Sequence, residues 1–278
     1  MRQPMFRFLL GLLLVGAAAP VAAQTVGANA VVVNDVQMTT QANPQMHRAA
    51  VRERVSLANQ IQTGTGSRLQ ILLLDGTSFQ VGANARLSVD RFVYDPNRSA
   101  SEVGVNVAQG SFRFVSGAPT RQRPGQSGIR TPVASIGVRG TIVEGAVGPE
   151  AIRIFNAESG LPAVPNADPE TATLVLLRGP GPNVPGEPAG AIDVSAGGRT
   201  LPIETVGYAA YIPGPGQPPI GPFLLSNIGQ SDLAVLLGDP RTTVDVEIDD
   251  PLVGDPLIGG VLDHYYDGSG YCNDPAFC

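Results

Sequence analysis

An all-β fold is predicted by two features of the chain. Apolar residues alternate at period two through many short segments, and a content of 34 Gly and 25 Pro works against long helices. At 278 residues the chain can bury one large β domain or two smaller ones. The expected layout is an export signal over residues 1–23, a β domain over 24–147, further β segments with Pro/Gly-rich loops over 148–237, and an acidic tail over 238–278, less ordered than the rest.

The first segment begins with Arg2 and Arg7, and Phe8 to Ala19 is an unbroken run of apolar and glycine residues. Pro20 ends that run, and Val21-Ala22-Ala23 offers small residues to a signal peptidase, so cleavage is expected after Ala23. Twelve residues from Phe8 to Ala19 would rise only about 18 Å as a helix, against the roughly 30 Å of a bilayer core. A periplasmic or secreted protein without a membrane span in its mature chain is the expectation.

The strands are read in order. Leu69, Ile71 and Leu73 alternate with Arg68, Gln70 and Leu72, and Asp75-Gly76 separates them from Thr77 to Val81. Two β runs around Asp-Gly form a hairpin signal, because the tight turn needs positive φ angles that these residues tolerate. Leu87, Val89 and Val93 are expected on one face with Arg91 between them. Val103, Val105 and Val107 alternate, Phe112 and Phe114 place two rings on one side and Arg113 on the other, and Ile136 and Val138 repeat the pattern before Gly140. Beyond, β-like runs cover Thr173 to Leu177, Ala191 to Val194 and Thr205 to Ile212, with a short helix near Ser231 to Leu237. Pro/Gly-rich stretches at 179–190 and 213–222 read as surface turns.

Charge divides the chain. Residues 24–231 carry 15 Arg against 14 acidic residues, whereas 232–278 carry Arg241 alone against ten. The body lacks the basic excess that neutralises phosphates, so nucleic acid is not an expected partner. The two cysteines, Cys272 and Cys278, stand in the tail. Outside the cytoplasm they are expected to form a disulfide that closes a small loop and shapes only the tail. Their spacing fits no common zinc pattern despite Asp263, His264, Asp267 and Asp274 nearby, so no metal is expected.

Four pieces in order carry a family resemblance: Ile61-Gln62-Thr63-Gly64, Leu72-Leu73-Leu74-Asp75-Gly76-Thr77, Gly110-Ser111-Phe112-Arg113-Phe114, and the run from Ile129 through Thr131-Pro132 and Arg139-Gly140-Thr141. Together, over about 80 residues, they resemble the FecR domain. The resemblance implies a β-solenoid-like or curled sheet of short strands, with residues 148–237 as further coils. The family motif residues are Gly64, Asp75, Gly76, Phe112, Phe114, Thr131, Pro132, Arg139, Gly140 and Thr141, and their expected roles are structural. Gly64 permits a sharp corner, and Pro132 fixes the start of a strand while holding Thr131 extended. Arg139 is expected to donate to carbonyls at a turn, the alternative being a carboxylate on a partner.

Motifs with a catalytic mechanism are missing. There is no Gly-x-Ser-x-Gly elbow, and no phosphate loop is available to a chain without Lys. The expectation is a protein that is not an enzyme and needs no cofactor. FecR proteins are expected to pass an outer-membrane signal towards a sigma factor, but this sequence shows neither an N-terminal helical domain nor a transmembrane helix after one. The reading is therefore an exported binding or regulatory module that docks to another envelope protein. The alternative is a surface protein that binds glycan or self-assembles through β edges.

Overall fold

The computed structural model describes residues 24–95, 100–117, 127–179 and 190–238. The proposed signal segment, the acidic tail and the Cys272–Cys278 pair lie outside the described residues.

The first half holds β1 (Thr25–Val33), β2 (Val36–Met38), β3 (His47–Arg48), β4 (Arg54–Ser56), β5 (Gln60–Thr63), β6 (Arg68–Leu73), β7 (Ser78–Val81), β8 (Arg86–Asp95) and β9 (Ala100–Val115). The second holds β10 (Ser127–Arg130), β11 (Ser135–Arg139), β12 (Ile142–Val147), α1 (Pro149–Ala157), β13 (Thr173–Leu177), β14 (Ala191–Ala196), β15 (Arg199–Ile203), β16 (Tyr208–Ile212), β17 (Ile220–Leu224) and α2 (Asn227–Leu237). All 17 strands are joined.

Their pairings resolve into two open sheets. The first runs β4-β1-β6-β7-β9-β12-β13-β16-β17. The second runs β3-β2-β5-β8-β9-β10-β11-β14-β15. Every contact is antiparallel except β9 with β10. From β6 onward the chain lays successive strand pairs alternately into one sheet and the other. The expected β fold is present as this open, mostly antiparallel pair of sheets, and β13 to β17 continue the sheets begun by the FecR-like residues.

Strand β9 belongs to both sheets. Its first part pairs with β8 and β10, and Gly110 to Val115 pair with β7 and β12. Gly110 makes the change of sheet at φ 90°, where a side-chain carbon would also lie 2.5 Å from Ala85 Cα. Only glycine meets both demands.

Between the sheets lies the main core. Leu69, Ile71, Phe79, Phe112, Phe114, Val143 and Val175 face it from the first sheet, and Ile61, Val103, Val105, Val107, Ile129, Ile136, Val138 and Ile192 from the second. Phe79 stacks on Phe112 at 6.3 Å and meets Phe114 edge-on at 6.2 Å. One expectation needs correcting. A β-bulge between Val89 and Arg91 adds a residue to β8, so Phe92 turns into the core and Val93 turns out to 55 % exposure.

The outer faces differ. On the first sheet, β13 and β16 are apolar on both sides, and the two helices cover them. Ala146, Leu174, Leu176, Ala209, Tyr211 and Phe223 pack there against Ala151, Ile154 and Phe155 of α1 and Leu233 of α2. Helix α1 was not expected from the sequence. Its start is nonetheless regular, with Pro in the first turn after Gly148 and Glu150 at the positive end of the helix dipole.

Candidate functional site

Half of the family motif residues gather at one end of the two sheets. In the turn between β6 and β7, the Asp75 carboxylate accepts from Thr77 N at 3.0 Å and Thr77 Oγ1 at 2.8 Å, with Gly76 at φ 80°. The turn from β11 to β12 carries Arg139, Gly140 at φ 59° and Thr141. These turns are 64 residues apart in sequence, counted from Asp75 to Arg139, and Ser116-Gly117, just past β9, joins them. Ser116 Oγ donates to Thr141 O at 3.0 Å and accepts from Thr141 N at 3.1 Å. Gly117 N donates to Thr77 Oγ1 at 3.1 Å. Gly190 closes the cluster, since a side-chain carbon there would lie 2.7 Å from the carbonyl oxygens of Arg139 and Gly140.

The hydrogen bonds that join the two turns thus run between neighbouring backbone and hydroxyls. Arg139 departs from its expected role at turn carbonyls. Its Nη2 donates instead to Asp193 at 3.2 Å and Glu204 at 3.3 Å, carboxylates of the same chain, while Nε is buried without a partner.

The remaining motif residues stand elsewhere. Gly64 N donates to Asp35 O at 2.8 Å in the bend before β6. Phe112 and Phe114 fill the core. Thr131 and Pro132 form the turn from β10 to β11, where Thr131 N donates to Ala134 O at 2.9 Å and Thr131 Oγ1 accepts from Ala134 N at 3.1 Å.

A second polar cluster, missed in the sequence, lies on the helix-covered face. Glu144 is 1 % exposed and is the register partner of Arg113. Arg113 Nε and Nη2 both reach Glu144 Oε1 at 2.8 Å, and Arg178 Nε stands 3.8 Å from the same oxygen. Oε2 is buried without a partner. A lone acid in the apolar run Ile142-Val143-Glu144-Gly145-Ala146 was the available signal. Nearby Tyr211 stacks on Phe155 at 4.0 Å, and burial pushes its phenol up to about 12, its hydroxyl lacking a partner.

Helix α2 is tied down by polar contacts at both ends. Ser226 caps it by accepting from Gly229 N at 3.1 Å, and the Glu158 carboxylate accepts from Ser226 N at 3.0 Å and Ser226 Oγ at 2.7 Å. Arg153 of α1 donates to Asp232 at 2.6 Å, and Arg178 donates to Gln230 at 2.6 Å. At the far end, Leu236 O accepts from Ser111 Oγ at 3.2 Å and Leu237 O from Gln80 Nε2 at 2.7 Å. Its outward side carries two large apolar side chains beside the exposed polar Asn227 and Ser231: Ile228 is 71 % and Val235 72 % exposed, and Leu224, in the strand before it, 62 %. Ile228 and Val235 lie seven residues apart, on one face of the helix.

Residues 59–155 match the family model described as FecR protein, from just before β5 into α1. Two crystal structures of a proposed anti-sigma factor from Parabacteroides distasonis ATCC 8503 are similar to this chain. One, at 1.65 Å, is 13 % identical with a TM-score of 0.35, and the other, at 2.50 Å, is 14 % identical with a TM-score of 0.36. Each alignment covers 58 % of this chain and 57 % of the other. No curated protein matches. None of the helices among the described residues is long and apolar enough to cross a membrane.

Proposed function

We propose, on the premise of the match of residues 59–155 to the FecR protein family model, that this protein is an exported regulatory module that docks to another envelope protein through the outward face of α2, without turning over a substrate. The observation that carries the reading is the placing of apolar surface. The three most exposed large apolar side chains among the described residues, Leu224, Ile228 and Val235, all belong to α2 and the strand before it. A helix held by its inner side, with large apolar side chains set among polar ones on its outer side, is suited to a protein partner.

Two further features support a face over an outermost strand. Strands β3 and β4 have two and three residues, and β15 and β17 carry Pro202 and Pro222. Short or proline-bearing edges resist strand addition. Among the described residues the large exposed apolar side chains include no aromatic ring, so the glycan alternative gains no stacking platform from them.

The test is a double substitution, Ile228→Asp with Val235→Asp, on outward positions. The circular dichroism spectrum and melting temperature should stay as in the parent, while co-purification with a specific protein of the envelope fraction is lost. Unchanged co-purification would overturn the docking face. Hydrolysis of an envelope polymer, abolished by replacing one carboxylate, would overturn the reading as a protein without turnover.

A further inference from the structure

One edge lies inside the first sheet. Strand β4 pairs with β1 at Thr25, Gly27 and Ala28, and Asn29 N still donates to Glu53 O at 3.0 Å. Beyond that point β1 pairs only with β6, through Val31, Val32 and Val33. Burial changes at the same position: residues 26–29 are buried, and Ala30, Val31, Val32 and Val33 are all partly exposed. Val32 packs against the main core from this half-open place. The register of β1 on β6 shifts once, between Asn29 and Val31, and beyond that shift Val31–Val33 is, among the described residues, a β-branched edge with one free side and no proline or charge to blunt it.

We propose that this edge is covered by the protein's own acidic segment, residues 243–249, added as a further strand beside β1. The inference does not rest on the docking face of α2.

Four observations support it. The described chain leaves the body near this edge. Ser111 and Gln80 hold the last carbonyls of α2, and Gly238, which follows, lies against the Arg68 guanidinium. Arg68 is the register partner of Val33. The free side of β1 lies about two strand spacings from β6, roughly 10 Å, and the five residues 239–243 can span about 16 Å when extended.

The segment also has the right pattern. Val244, Val246 and Ile248 alternate with Asp245, Glu247 and Asp249. As a strand it would turn its apolar side chains towards Val32 and the core, and its acids outward. Finally, the rim carries matching charge. Arg48 Nη2 donates to Asn34 O at 3.2 Å, one residue past Val33. Arg68, beside the exit point, has no acidic partner among the described residues, and Asp35 is turned instead towards Gly64.

Hydrogen exchange on the purified mature chain, residues 24–278, tests this. Val246→Pro removes a backbone donor in the middle of the proposed strand. Uptake in a peptide covering residues 29–34 should rise at least about tenfold in that variant, with uptake in β9 and β12 unchanged. Val246→Ile should behave as the parent. A triple variant, Asp245→Arg, Glu247→Arg and Asp249→Arg, should raise the same uptake through repulsion from Arg48 and Arg68. Equal uptake in the parent and Val246→Pro would overturn the proposal. So would protection that appears only as protein concentration rises together with a dimer in light scattering, which would assign the edge to a second copy.

Discussion

The outer faces of the two sheets are opposite solutions to one sequence pattern. Across β9, β10, β11 and β14 of the second sheet the outward side is polar or small: Gly104, Gly128, Gly137 and Asp193 lie in register across these four adjacent strands, with Arg130, Ser135 and Ser195 in the next row. None of the described helices covers it. On the first sheet, β13 is buried along its whole length and β16 nearly so, and α1 and α2 shield them. A strand that alternates can leave one side in water, whereas a strand apolar on both sides needs a second layer. The difference teaches where packing energy and buried charge concentrate: under the helices.

The contrast breaks most readily at Leu174, buried beneath α1. Leu174→Ala should cost about 3–4 kcal/mol in urea unfolding, from lost burial plus a cavity. Ser195→Ala, at the matching outward level of the second sheet, should change stability by less than about 0.5 kcal/mol. Next in size is Arg113→Met. It leaves the buried Glu144 carboxylate with Arg178 alone at 3.8 Å, and should cost about 2–3 kcal/mol. Tyr211→Phe should act in the opposite direction. The buried hydroxyl has no partner, so its removal should raise stability by about 1 kcal/mol while keeping the stack on Phe155.

A further small effect is expected at His47 on β3. Its Nε2 meets Glu53 Oε1 at 2.7 Å and its Nδ1 meets Gln45 O at 3.2 Å. The hydrogen bond to Glu53, then the bond to the Gln45 carbonyl and the charge of Glu53, raise its pKa above the usual 6.5. The folded pKa exceeds the unfolded one, so the contribution is complete below pH 6.5 and fades as pH rises through the higher folded value. The side chain is 25 % exposed, which limits the gain to about 0.5 kcal/mol. Parent and His47→Gln melting curves should differ most at acidic pH and converge at alkaline pH.

Much of the body was legible in local sequence. The Asp75-Gly76 hairpin, the valine alternation of β9 and the opposed placing of Arg113 and its flanking phenylalanines need only neighbours along the chain. The misplaced side chains depend on distant partners. Val93 was turned out by one added residue in β8, which depends on its pairing with β9 and not on composition. Arg139 was read against its neighbours Gly140 and Thr141, but its carboxylates come from β14 and the turn after β15. The joining of the two Gly-Thr turns through Ser116-Gly117 is a consequence of sheet order, as is the pairing of Glu144 with Arg113. Helix α1 was hidden by the glycine and proline around it, although Pro149 is suited to a first turn.

Photo-cross-linking in intact cells tests the central functional claim most directly, with the reactive side chain at Val235 on α2 or at Ser195 on the bare face. The account predicts one specific envelope protein joined from Val235 and none from Ser195, with the Val235 product lost on Ile228→Asp. The same protein captured from Ser195 and not from Val235, or only copies of this chain captured from both, would contradict it.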